Sequence, residues 1–293
     1  MNTAWLVLLS ILAVTVAILK VPTQAADKGK SATIERKTCT ARDGVTIVYS
    51  AAGAGPVGLL FIHGGLANRA FWDGELKEFA AHYRVIAPDL VGHGESGTNR
   101  KKWGIPEFGA DVQAVVEAEH LKKVILFGNS LGGPVAIEAA LLLPGKVLGV
   151  VGVDTFQSFA YTMTPEQARQ RAGAFRDDYA GSLKQMVRSL FHADADPAIV
   201  ADAERRMMGT SPEAAHSILL CLGGYDAGAS ARHLGVPLRA INGDLYPTDT
   251  EGVRKVKADF EVVVMKHMGH YPMLERPAEF DRLVAEIASR LTR

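Results

Sequence analysis

Short apolar runs alternate with longer stretches of helical spacing along most of this chain. Val57–Ile62, Arg84–Ala87, Lys123–Phe127 and Val147–Val153 are apolar runs of strand length. Between them, Phe71–Ala81 and Pro106–Glu119 carry apolar side chains at helical intervals, and Gly133–Leu143 is dense in Ala and Leu. Such spacing predicts helices that bury one face or more. Residues 33–41 and 45–51 add two strands joined by a turn at Asp43-Gly44. Near the end, Leu238–Asn242 and Glu261–Met265 read as strands and Ala278–Leu291 as an amphipathic closing helix. The alternation predicts an α/β chain with a mostly parallel, doubly wound sheet of about eight strands, covered on both faces.

One segment breaks the rhythm. From 155 to 235 there is no apolar strand, only helical stretches. That predicts a helical cap inserted after the sixth strand, dividing the core into residues 27–154 and 236–293. Ligands of open α/β sheets bind outside the carboxyl ends of the strands, so a cap here would roof the site. Its large apolar residues are the candidate substrate-binding wall, with Phe159, Met163, Phe175, Met186 and Phe191 foremost. Phe156, Tyr161, Leu190, Met207 and Met208 are further candidates.

The first 26 residues are of a different kind. Ala4–Leu19 is almost wholly apolar, Lys20 ends it, and Thr23-Gln24-Ala25-Ala26 offers small residues for cleavage. That length suits a signal-peptide core better than a membrane span, although an uncleaved N-terminal anchor is the alternative. Either reading places the remainder outside the cytoplasm, periplasmic or secreted, with any membrane association confined to this segment. The 32 basic and 32 acidic residues cancel, which argues against nucleic acid as the main partner. Cys39 and Cys221 are the only cysteines and show no disulfide framework, so both are expected to be unpaired.

The densest chemical signal is Gly128-Asn129-Ser130-Leu131-Gly132. A serine between a buried strand and a packed helix, with glycine two residues away on either side, sits on a tight turn with its hydroxyl exposed. A serine hydroxyl is a weak nucleophile and needs a base within reach. Gly269-His270 follows the last predicted strand, at the same sheet edge, and makes His270 the leading base; His267 is the rival nearby. No cluster has metal-ligand spacing and no glycine loop suits a nucleotide phosphate, so no cofactor is expected.

With His63-Gly64-Gly65 after the third strand and Asp89-Leu90-Val91-Gly92-His93-Gly94-Glu95-Ser96-Gly97 after the fourth, these motifs resemble the α/β-hydrolase superfamily. They occur in its order over nearly the whole length after the leader. The resemblance implies Ser130 as nucleophile, His270 as general base, and an oxyanion hole from the N–H groups of Leu131 and Gly65. It implies a structural role for His93 and its loop. The acid departs from the family pattern, because the usual position after the strand ending at Ile241 is Tyr246. Asp244 ranks first, Asp154 at the end of the preceding strand second, and Asp249 third.

A hydrolase of small to medium carboxylic esters, acting through an acyl-enzyme, is the first functional reading. Asn129 before the serine also resembles the carbon–carbon hydrolases of ring-fission products. A non-catalytic ligand-binding protein of the same fold is the third reading. The expected partner is a small-molecule ester; the sequence leaves acyl preference and oligomeric state open.

Overall fold

The computed structural model describes residues 33–293, so the leader read at 1–26 lies outside the described residues. Strands β1 (Glu35–Thr40), β2 (Thr46–Ala52) and β3 (Val57–Ile62) come first, followed by the short helix α1 (Asp73–Glu78). Next are β4 (Arg84–Pro88), α2 (Ile105–Ala118), β5 (Lys123–Asn129), α3 (Gly132–Leu142) and β6 (Val147–Val153). Five helices follow: α4 (Pro165–Asp177), α5 (Tyr179–Ser189), α6 (Pro197–Met207), α7 (Pro212–Leu220) and α8 (Ala227–Arg232). The chain closes with β7 (Leu238–Gly243), α9 (Thr250–Val256), β8 (Glu261–Met265), α10 (Pro272–Glu275) and α11 (Pro277–Leu291).

All eight strands join one sheet in the order β1-β2-β4-β3-β5-β6-β7-β8. The pairs β1–β2 and β2–β4 are antiparallel, and every pair from β4 to β8 is parallel. Parallel strands need crossovers, and the helices that supply them cover the faces, which explains why β3 and β5 are apolar at successive positions. Leu59 to Ile62 and Val124 to Phe127 are fully buried. Phe61 stacks on Phe127 with ring centroids 4.8 Å apart and lies 5.1 Å from Trp72. Truncating a ring in such a close-packed core costs about 3–5 kcal/mol.

One predicted helix differs from what the fold contains. Phe71–Ala81 is not continuous: Asn68 accepts a hydrogen bond from the Ala70 N–H and starts a 3-10 turn at Arg69–Trp72. Trp72 then leaves helical geometry at φ −110°, ψ 16° before α1 begins. Its indole is fully buried against the sheet, so core packing overrides the local helical pattern.

The long helical insertion lies between β6 and β7, as its lack of strand-like runs predicts. Proline at the first turn and a side-chain cap start α4, α6 and α7, with Thr164, Asp196 and Ser211 accepting the free N–H groups. Among the described residues, no helix is long and apolar enough to cross a membrane.

Candidate active site

Ser130 follows β5 at φ +51°, a left-handed backbone that a serine adopts only when its surroundings compel it. The compulsion is visible in the flanking glycines. A Cβ on Gly128 would lie 2.1 Å from the Gly132 carbonyl oxygen, and one on Gly132 would lie 2.4 Å from that of Ile62. Strand, turn and helix therefore approach as closely as main chains can. Ser130 donates its own N–H to the Val153 carbonyl at 3.2 Å, which fixes the turn to the end of β6.

Asp154 is the next residue after β6, also left-handed at φ +45° and almost fully buried. Its N–H donates to the Ile241 carbonyl at 2.8 Å. One carboxylate oxygen accepts the Gly243 N–H at 2.9 Å, and the other lies 2.5 Å from His270 Nδ1. The imidazole is thus tied through Nδ1 to a buried carboxylate, which leaves Nε2 without a protein partner among the described residues. The His270 main chain is fixed from both sides. Its N–H donates to the Leu190 carbonyl at 2.8 Å, and its carbonyl accepts from Asn129 Nδ2 at 3.0 Å.

This arrangement reverses the ranking of the acids. Asp244 does not meet His270; it accepts the Met268 N–H at 3.1 Å and lies 3.4 Å from His192 Nε2. The main-chain N–H groups of His267 and Met268 hold its carboxyl below the usual range, and its side chain is partly open to solvent. Asp249 is a helix cap, accepting the Gly252 N–H at 2.8 Å at the start of α9. β7 ends with its loop turned toward the β8–His270 connection, so Asp244 braces that connection while Asp154 reaches the ring. His267 is also outside the site, exposed and paired with Asp194 at 3.0 Å.

Ser130, His270, Gly65 and Leu131 line one cavity of about 130 Å³. Among the described residues, the N–H groups of Gly65 and Leu131 donate to no protein acceptor. The loop carrying Gly65 is held by the buried His63. Its Nδ1 lies 2.7 Å from the Gly64 carbonyl and its Nε2 accepts the Leu90 N–H at 3.0 Å. Burial pushes the His63 pKa down, so the ring stays neutral and serves as a clip. Leu66 follows at φ +61°, with its carbonyl held by the Thr210 hydroxyl at 3.2 Å. His93 lies beside His63 with ring centroids 4.8 Å apart and is equally buried.

Of the five foremost apolar candidates in the insertion, Met186 lines this cavity. Leu190 does as well. Phe159, Met163, Phe175 and Phe191 do not. Phe159 packs on Phe156 at 5.6 Å, Phe175 on Tyr179 at 6.1 Å and Phe191 on Tyr271 at 5.5 Å. The Met163 carbonyl accepts the Gly224 N–H at 2.8 Å. These rings are engaged in packing within the insertion and, for Phe191, against Tyr271 of the loop after β8, which is why size alone misdirects the expectation. The wall is completed by Ile218, Leu219 and Leu222 from α7 and the turn after it, by Leu66 and Tyr271, and by one cation, Arg171.

Two polar residues hold His270 in place: Asn129, which the sequence marks only as a hint about the bond cut, and Glu275, which it does not mark. Asn129 is fully buried and donates both to His270 and to the Val153 carbonyl, each at 3.0 Å. Glu275 accepts the N–H groups of Gly269 and Tyr271, each at 3.3 Å, bracketing His270. A glutamate five residues after a histidine, closing a four-residue helix that lies between Pro272 and Pro277, is the signal that could have revealed it. Cys39 and Cys221 form no disulfide and are partly buried, and burial raises their thiols to about 11 and about 12.

Comparison with known proteins agrees with this architecture. The profile of the alpha/beta hydrolase family matches residues 59–283. The pimeloyl-[acyl-carrier protein] methyl ester esterase of Nitrosospira multiformis is 26% identical over 255 residues, spanning 80% of this chain and 95% of that relative. A thermophilic esterase from Thermogutta terrifontis superposes with TM-score 0.77 at 22% identity, covering 88% of this chain and 99% of its own. The enol-lactonase of Burkholderia xenovorans superposes with TM-score 0.76 at 20% identity, covering 86% and 100%. At those identities the two superpositions establish the shared fold.

Proposed function

Because the chain belongs to the alpha/beta hydrolase family, we propose that it is a serine hydrolase cleaving small to medium carboxylic esters through an acyl-enzyme. The observation that carries this reading is the convergence of Ser130, His270 and two free main-chain N–H groups on one cavity, with Asp154 behind His270.

Ser130 Oγ attacks the ester carbonyl while its proton passes to His270 Nε2. The carbonyl oxygen becomes an oxyanion held by the Gly65 and Leu131 N–H groups, each such donor contributing about 10²–10³ in rate in comparable sites. Collapse breaks the bond to the alkoxy group, which takes the proton from His270 and leaves as alcohol. Water then gives a proton to His270 and attacks the acyl-enzyme. Its collapse returns the proton to Ser130 and releases the acid. Asp154 keeps the ring in the tautomer that presents Nε2 and stabilises the imidazolium. The Nitrosospira relative, by its name a methyl ester esterase, supports the ester reading.

Asn129 does not favour carbon–carbon cleavage. Its buried Nδ2 is taken up by two main-chain carbonyls, which gives the residue a structural task that needs no carbon–carbon substrate. The test combines a fluorophosphonate probe with turnover of p-nitrophenyl acetate. Labelling of Ser130 and turnover that is lost in Ser130→Ala support the reading. Absence of both defeats it in favour of a non-catalytic binder, and turnover of a coloured ring-fission dienoate with none of the ester defeats it in favour of carbon–carbon cleavage.

A further inference from the structure

Apart from the catalytic groups and Tyr271, whose hydroxyl donates to Met207 Sδ at 3.5 Å, the side chains of the catalytic cavity's wall are apolar except one, Arg171 of α4. Its position on the helix is unusual for a charge. Arg171 lies three residues after Ala168 and four before Phe175, both buried, so it shares the stripe by which α4 packs inward. Arg171 is itself exposed while lining the cavity, which places the residue at the mouth.

The other arginines of α4 and α5 are engaged. Arg169 pairs with Glu166 at 2.6 Å, Arg176 with Asp177 at 3.2 Å, and Arg188 donates to the Ala193 carbonyl at 2.5 Å. Among the described residues, Arg171 has neither a hydrogen-bond partner nor an ion-pair partner. No carboxylate lines the cavity to take that role. An inward-stripe cation with five donors and no acceptor, beside a wall of leucine, isoleucine and methionine, is a half-built anion site.

We propose that Arg171 selects esters whose acyl group carries a carboxylate at its far end. This rests on the hydrolase reading above and names its substrate class. The reacting carbonyl would sit at Ser130, the methylene chain along Met186 and Leu219, and the distal carboxylate on the guanidinium at the mouth. The planar fork of arginine matches a carboxylate through two parallel hydrogen bonds, which a lysine cannot reproduce. A cavity of about 130 Å³ is small beside the ~300–1,000 Å³ of drug-sized pockets, which favours a short dicarboxylic chain.

The test compares monomethyl adipate with dimethyl adipate in a pH-stat, reading the ratio of their kcat/KM values. The two share one acyl chain and differ in whether the distal carboxylate is free. The wild-type protein is expected to prefer the half-ester. Arg171→Gln should lower the ratio about tenfold or more, the size of a charge-assisted hydrogen bond. Arg171→Lys should fall between, and raised salt should narrow the wild-type ratio. A wild-type ratio at or below one, or a ratio unchanged in Arg171→Gln, would overturn the proposal while fluorophosphonate labelling of Ser130 leaves the hydrolase reading standing. No labelling and no cleavage of either ester would overturn both.

Discussion

The side-chain amide of Asn129 donates to the main-chain carbonyl of His270 at 3.0 Å, across 141 positions of sequence. The same nitrogen donates to the carbonyl of Val153, the residue before Asp154. One buried amide thus joins the turn of Ser130, the end of β6 and the loop after β8. Three groups that arrive on three strands are kept in register by it.

Replacing Asn129 with Ala removes the donor and leaves the buried His270 carbonyl without a partner, at about 1–3 kcal/mol for such a group, while the Val153 carbonyl keeps the Ser130 N–H. The expected result is a kcat lowered about 5- to 150-fold, the rate equivalent of that range when it falls on the transition state, with KM little changed. A serine-to-base distance that drifts affects the chemical step more than binding. Asn129→Asp should fare worse, because it sets a carboxylate against the same two oxygens. Steady-state kinetics with p-nitrophenyl acetate, beside a thermal melt, checks both variants.

The two candidate acids separate under the same substitution. Asp154→Asn removes the carboxylate that orients His270, and loss of that group in related triads lowers kcat about 10⁴-fold. Asp244→Asn replaces one acceptor of a main-chain N–H by another and should retain activity within a few fold. Turnover of both variants on one ester decides the matter; equal losses would contradict the assignment of Asp154.

What could be read from the sequence follows from how local each cause is. β3 and β5 were legible because burial on both faces demands uninterrupted apolar runs. Ser130 was legible because its φ of +51° is possible only with small neighbours, and Gly128 and Gly132 display that need. The acid was not, because two aspartates at neighbouring strand ends differ only in where their carboxylates point. Asp154 turns through φ +45° toward the ring, and nothing in Val150–Asp154 announces it. Size does not mark the cavity wall for a related reason: Phe175 packs within the insertion on Tyr179 and Phe191 packs on Tyr271, while smaller Leu219 and Leu222 face the site. Arg171 is not legible from sequence because a charge on a helix ordinarily marks the solvent face.

Glycines in the two halves of the molecule should answer differently to alanine. At Gly128 the added methyl would meet main-chain atoms of Gly132 at 2.1 Å and 2.3 Å, and main chain cannot step aside as a side chain can. Overpacking of that kind costs about 1–3 kcal/mol, and it would also displace Ser130. Gly173 in α4 has nothing within 4 Å of the added methyl and ordinary helical geometry. There alanine should stabilise by about 0.5–1 kcal/mol through helix propensity. Melting temperatures of Gly128→Ala and Gly173→Ala should therefore move in opposite directions, with fluorophosphonate labelling reduced only in the first.

Acid and base should act unequally on stability because of a carboxyl group remote from the catalytic residues. Glu75 of α1 is almost fully buried, and its Oε1 has no partner among the described residues. Desolvation first, then the charges of Asp281 and Asp73, push its pKa well above the ordinary value. The protonated form is the one the fold accommodates, so stability from this group is intact below the unfolded-state pKa and lost as pH rises through the folded one. Each tenfold difference in proton affinity between the two states is worth about 1.4 kcal/mol. Asp281, raised by burial to about 6, acts in the same direction at the lower end of that range. Glu75→Gln keeps the shape without the charge. It should raise the melting temperature clearly at pH 8 and little at pH 4, so that the wild-type and variant curves diverge with rising pH. Parallel melting curves across that range would show that Glu75 ionises in the fold without penalty.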